Sequence, residues 1–227
     1  MILSLHIPKA AGNSFRGLLQ VEFGERLMLD YGDWAGFDVP EAIERCNIRM
    51  RQMRSRRDEL LERYDAIHGH FVADKYLGLF PAGNFAAFFR DPYQQTLSHY
   101  CFLLRNPQRN HPEEKIFHEA RMTLHDYLSW DAFRNHQRQY LGSVSINDLA
   151  MVGLAEEFSR SVGLFNSIFG ASLRGDSFLN VNSDHRGAPY RIDDNVRKAV
   201  EKYRADDVDL YQRAREIFAR QASKAGL

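Results

Sequence analysis

Met1-Ile-Leu-Ser-Leu-His-Ile-Pro-Lys-Ala-Ala-Gly-Asn-Ser-Phe15 is the stretch whose reading decides the fold. An apolar run, Ile2 to Ile7, breaks at Pro8, which fits a strand buried on both faces. Small residues and a single lysine follow: Lys9, Ala10, Ala11, Gly12, Asn13 and Ser14. Phe15, Leu18, Leu19 and Phe23 then recur at helical spacing, predicting a helix over 13–23 capped by Asn13 or Ser14. Strand, small-residue loop and helix together make a phosphate cradle. Backbone N–H groups at the helix start point at the anion, the helix dipole adds positive potential, and small residues let the ligand approach the backbone. The candidate phosphate ligands are therefore Lys9, Ala11, Gly12, Asn13 and Ser14. The order is not that of a Walker loop, in which lysine follows the glycines; here Lys9 precedes Gly12.

Further along, Asp65-Ala-Ile-His-Gly-His-Phe-Val72 predicts a short strand ending in polar residues. Asn84-Phe-Ala-Ala-Phe-Phe-Arg90 predicts another, followed at once by a helix to Leu104 with Asp91 as N-cap and Pro92 in its first turn. Residues 24–40, with Gly24, Gly32, Gly36 and Pro40, read as irregular. An arginine-rich helix is expected over 41–63, either a solvated face paired with its own carboxylates or a rim for an anionic acceptor. Beyond a polar loop at 105–115, helices are expected over 115–141 and 154–169, with a short strand at Met151-Val-Gly153 between them. A strand-like piece, Phe178 to Asn182, and a loop at 183–192 precede a final helix or helix pair over 193–222. Strands alternating with helices argue a parallel sheet with crossover helices, whose ligands sit at the carboxyl ends of the strands. The expected fold is α/β: a P-loop-like parallel sheet flanked by helices, with a helix-rich C-terminal half, in a single domain spanning 1–227.

The 227 residues carry 30 Lys+Arg against 30 Asp+Glu, so no global field draws nucleic acid, and anion binding must be local. The two cysteines, Cys46 and Cys101, have no metal-ligand spacing and read as free thiols in a reducing compartment. The N-terminal apolar run is too short for a signal sequence or a membrane span, so a cytoplasmic protein is expected.

The second phosphate signal is Phe89-Arg-Asp-Pro-Tyr-Gln-Gln-Thr-Leu-Ser-His-Tyr100. Arg90 ends a strand, and Ser98 lies about two turns into the next helix. A guanidinium fork and a hydroxyl so placed suit one phosphate group.

The two stretches together resemble PAPS-dependent sulfotransferases (PAPS is 3′-phosphoadenosine-5′-phosphosulfate). His6 to Ser14 resembles the family's 5′-phosphosulfate loop, and Phe89-Arg-Asp-Pro with Ser98-His-Tyr100 resembles its 3′-phosphate motif. The branch it is most similar to is the carbohydrate type that includes heparan sulfate 2-O-sulfotransferase. His68-Gly-His70 resembles the paired histidines of that branch, and Val152 to Phe158 resembles a late helix start. Asn180-Val-Asn-Ser-Asp-His-Arg186 resembles the loop that closes over the 3′-phosphate, which makes Arg186 a candidate second ligand.

The resemblance implies PAPS as donor, PAP (the desulfated nucleotide) as product, and a hydroxyl acceptor of the carbohydrate class. In-line sulfuryl transfer needs charge stabilisation on the leaving phosphate, a role for Lys9, and a base for the acceptor hydroxyl. The family match makes His70 the first choice for that base, with His68 second, orienting the acceptor. At i and i+2 on a strand the two share a face, so both are expected to look into the crevice. The pattern His-x-His-x-Asp-His is broken at Val72 and Ala73, so no metal is expected. Two rival readings remain: a non-catalytic nucleotide-binding relative, and a P-loop small-molecule kinase. The kinase would want lysine after glycine and an acidic metal ligand. Arg138, in Asn135 to Tyr140, is a possible acceptor contact; Trp34 and Trp130 read as packing residues.

Overall fold

The computed structural model describes residues 1–31, 40–53, 55–107, 112–174 and 188–227. Five parallel strands form one sheet in the order β2-β3-β1-β4-β5. They are β1 (Ile2–Leu5), β2 (Leu27–Asp30), β3 (Ala66–Gly69), β4 (Phe85–Phe89) and β5 (Met151–Leu154). Helix α1 (Gly12–Phe23) makes the first crossover, from central β1 to edge β2. Helices α2 (Pro40–Met53) and α3 (Arg57–Arg63) lead to β3, and α4 (Asp74–Leu77) lies between β3 and β4. After β4 the chain is mostly helical: α5 (Pro92–Arg105), α6 (Pro112–Glu119), α7 (Leu124–Ser129) and α8 (His136–Leu141) precede β5. Then come α9 (Phe158–Phe169), α10 (Asp194–Tyr203) and α11 (Ala205–Lys224). The expected parallel sheet with flanking helices and a helix-rich second half is the observed architecture.

The sheet is apolar because both of its faces are covered. All five residues of β4 are buried, and so are all four of β5. Phe15 and Leu19 of α1 and Phe165 of α9 pack into the same core. A separate apolar cluster of Leu103, Phe117, Tyr127, Phe133 and Val200 ties α5, α6, α7 and α10 together away from the sheet.

Four expectations need correction. The segment 24–40, read as irregular, contains edge strand β2, whose Leu27-Met-Leu-Asp30 pairs in parallel with β3. Its apolar signal is weak because the strand is only partly buried: Leu27 and Asp30 are buried while Leu29 is exposed. Helix α1 begins at Gly12, not Asn13, and its N-cap is Ala11, so neither Asn13 nor Ser14 caps it. The helix expected over 41–63 is two helices, α2 and α3. The polar loop expected over 105–115 is shorter, since α6 begins at Pro112; the helical segments expected to 141 are α6, α7 and α8, with a 3₁₀ turn at Asp131–Phe133. The strand-like piece Phe178 to Asn182 and most of the loop at 183–192 lie outside the described residues, as does Trp34. Among the described residues, no helix is long and apolar enough to cross a membrane.

Candidate functional site

The carboxyl ends of β3, β1 and β4 lie side by side, because Leu5 is in register with Gly69 on one flank and Ala87 on the other. The chain order reverses about β1, the place where open α/β sheets take their ligands. The segments leaving these strands carry the predicted residues.

Two residues of the loop after β1 adopt left-handed backbone conformations, Lys9 (φ 63°) and Ala11 (φ 66°). An alanine or lysine pays strain there, and such strain collects at binding sites. The conformation turns the chain sharply into α1 and leaves Ala11, whose methyl accepts no hydrogen bond, at the N-cap. Gly12 is required by packing. A Cβ on it would fall 1.9 Å from Cδ2 of His6, so the helix start lies directly on that imidazole. Asn13 is exposed and Ser14 is buried in the first turn. The Lys9 ammonium stands 4.5 Å from the centre of the Phe102 ring, on α5.

Arg90 leaves β4 toward this loop. Its Nη1 donates to the carbonyl of Lys9 at 3.0 Å, which joins the two predicted phosphate motifs directly. Burial pulls its pKa down and the Glu156 carboxylate pulls it up; a guanidinium stays charged regardless. Asp91 caps α5 as expected, accepting from the N–H groups of Tyr93 and Gln94, with Pro92 in the first turn. Ser98 is buried on α5, one turn before Phe102 and so on the face that meets Lys9.

The histidines form a stack. His6, just past β1, lies 4.1 Å from the His70 ring and 5.0 Å from the His68 ring, centre to centre. His6 Nδ1 shares a 2.7 Å hydrogen bond with the Tyr31 hydroxyl at the end of β2. Burial raises the Tyr31 pKa to about 12. His68 is at 1 % exposure inside β3, with Nδ1 on the Ser4 hydroxyl at 2.8 Å. Burial, reinforced by His70, drives its pKa down to about 3, so it is neutral at pH 7. His6 is likewise held far below its ordinary value, chiefly by burial. The two expected crevice residues thus occupy different depths: His68 under Phe15 of α1, and His70 partly exposed. His70 Nδ1 lies 2.6 Å from the carbonyl oxygen of His6. A carbonyl only accepts, so Nδ1 carries a proton; in the neutral ring the basic nitrogen is then Nε2.

Several residues that sequence reasoning missed hold this edge in place. Gln95 Nε2 donates to the Pro8 carbonyl at 3.0 Å and lies 3.1 Å from His136 Nδ1. The Gln137 side chain clips the backbone of Arg90 on both sides, accepting from its N–H (2.9 Å) and donating to its carbonyl (2.8 Å). Their only sequence signal was position: Gln95 sits one turn into the helix after Arg90, and Gln137 is next to the suspected Arg138. Arg138 itself donates to the Gly142 carbonyl at 2.8 Å and borders an open concavity of about 510 Å³ with Asn135 and Asp206. His99 and His136 stack 5.0 Å apart in the interior, both pushed well below their ordinary pKa by burial. Trp130 packs edge-on against Phe133. Arg186 lies outside the described residues.

No protein-family model matches the chain, and no curated protein does. Among solved structures the chain is similar to a sulfotransferase from Alicyclobacillus acidocaldarius, at 16% sequence identity and a TM-score of 0.46 over 91% of this chain and 92% of that one.

Proposed function

We propose that the protein is a PAPS-dependent sulfotransferase that moves a sulfuryl group to a hydroxyl, with a carbohydrate as the acceptor class. The observation that carries this reading is the 3.0 Å bond from Arg90 Nη1 to the Lys9 carbonyl. It sets the guanidinium against the small-residue loop, within reach of a ligand bearing phosphate at two ends. The donor fits the residues present. The Ala11–Gly12 turn offers bare backbone at a helix start, and Lys9 and Arg90 supply two cations to a chain with no net charge. PAPS supplies an activated sulfuryl group whose sulfur is bonded to the 5′-phosphate oxygen.

Backbone N–H groups at Gly12, Asn13 and Ser14 are assigned to the 5′ end, with Lys9 meeting the charge that grows on the departing phosphate oxygen. Arg90 and Ser98 are assigned to the 3′-phosphate, joined by Arg186 from the later loop. His70 Nε2 takes the proton of the acceptor hydroxyl as the new O–S bond forms and the bond to the 5′-phosphate breaks, releasing PAP. The His6 carbonyl fixes the tautomer this needs. His68 supports from beneath, a neutral ring that holds the stack without adding charge beside the base. Calorimetric titration with PAP tests the donor: saturable binding is expected, and its absence in folded protein overturns the reading. An acceptor screen with labelled PAPS, read by mass spectrometry for a gain of ~80 Da, identifies the transferred group.

A further inference from the structure

The bend between α10 and α11 buries two opposite charges, Arg204 and Asp207, each at 0 % exposure. Burying a charge is costly unless its hydrogen bonds are made well. These side chains direct theirs elsewhere. Arg204 Nη1 donates to Gln95 Oε1 at 2.6 Å, and Nη2 donates to the Tyr127 hydroxyl at 2.8 Å. Asp207 accepts from the backbone N–H groups of Gln137 (3.1 Å) and Arg138 (2.7 Å), at the start of α8. Burial raises the Asp207 carboxyl pKa, while Arg204 and those two N–H groups lower it.

Both routes end at the sheet edge. From Arg204 the chain of bonds runs through the Gln95 amide to the Pro8 carbonyl, the residue before Lys9. From Asp207 it runs through the start of α8 and the Gln137 amide to both backbone groups of Arg90. We infer that Arg204 and Asp207 are positioning residues that set the two grips of the donor site from one buried bend, Arg204 for the Lys9 loop and Asp207 for Arg90. This rests on the donor reading above. A hydrophobic pair would fill the same space at lower desolvation cost. What the charges add is direction: the guanidinium at Gln95 Oε1 fixes which way that amide faces, and the carboxylate, accepting from two backbone N–H groups, anchors the start of α8 from which the Gln137 side chain reaches Arg90. Preorganisation of this kind matters because misplacing a binding group by about 1 Å can cost on the order of 100-fold.

The test separates the two routes with small changes at the relays, Gln95→Leu and Gln137→Leu, beside Arg204→Met and Arg204→Lys. Affinities for PAP and for AMP, which lacks the 3′-phosphate, are measured by calorimetry, together with amide exchange of residues 8–15. Gln137→Leu should weaken PAP by about 10-fold or more while leaving AMP within ~2-fold, because only the Arg90 grip is released. Gln95→Leu should weaken both nucleotides equally and speed exchange in residues 8–15. Arg204→Met should reproduce the Gln95→Leu pattern, and Arg204→Lys, able to keep one of the two bonds, should fall between it and the native chain. Should every folded variant bind both nucleotides like the native chain, the positioning role is overturned and the donor reading stands. Equal loss of PAP and AMP in Gln137→Leu also overturns it, as a merely structural effect. A native chain that takes up no PAP removes the donor reading, and this assignment goes with it.

Discussion

Helices α1 and α5 both begin at the carboxyl end of a neighbouring strand, yet they begin in opposite ways. At α5 an Asp91 carboxylate accepts two first-turn N–H groups and Pro92 supplies the pre-set φ, so the start is closed by its own sequence. At α1 the cap is an alanine in the left-handed region, with no side chain to accept anything. The sealed start spends its dipole on stability, about 1 kcal/mol. The bare start has no side chain on its dipole and carries strain at Lys9 and Ala11; the proposed donor reading gives that dipole an anion to meet. Two helices of similar length at one sheet edge thus differ: one is closed by its own side chain beside Arg90, and the other is left open, which is what the proposed donor reading requires of it.

Acid should erase this difference with the largest effect. His6 and His68 beneath α1, His99 on α5 and His136 at the start of α8 have pKa values pushed below 6.5 by burial. Unfolded, each regains a proton below 6.5, so the unfolded state binds more protons and stability falls as pH falls. Asp207 opposes them: its folded pKa is raised to about 6 from 3.8, so the folded state binds the extra proton and gains between those values. Four histidines against one carboxylate leave about three protons, or on the order of 4 kcal/mol per pH unit below pH 6. Denaturant midpoints at pH 7 and pH 5.5 measure this; a midpoint that holds or rises on acidification contradicts it.

Within the open start, Lys9→Ala is expected to lower turnover by about 100-fold or more while the fold persists, since it removes a donor to developing charge. Turnover within ~3-fold of native would return Lys9 to a merely structural place over Phe102. Gly12→Ala sharpens the same point from the backbone side. The added methyl meets the His6 ring, so either the helix start or the imidazole must shift, at a cost of about 1–3 kcal/mol by denaturation. PAP affinity should fall with it. The smallest effect belongs to the sealed start. Asp91→Ala should cost about 1 kcal/mol of stability and leave PAP affinity nearly unchanged, because the Gln137 amide still holds the Arg90 backbone. If the two helix starts respond alike, with nucleotide affinity lost equally at Asp91 and at Gly12, the division of labour drawn here is wrong.

The sequence by itself determined the elements with strong local signals. The short, mostly apolar runs of β1 and β4, bounded by Pro8 and by Arg90-Asp91-Pro92, read as buried strands, and Asp91-Pro92 names a helix start by side-chain chemistry that acts within three residues. Lys9 and Arg90 drew notice because each stands where an apolar run stops, and His70 through its resemblance to a paired-histidine motif. Tertiary structure alone decided the rest. Edge strand β2 was invisible because its pairing with β3 comes from residues far along the chain. The α1 cap fell on Ala11 because the packing of Gly12 on His6 overrides the side-chain preference of Asn13 and Ser14. His68 and His70, alike in pattern, were separated in depth by the helix laid over one of them. Gln95, Gln137, Arg204 and Asp207 carry no motif, since a hydrogen bond between residues about a hundred positions apart leaves no periodic trace in the sequence.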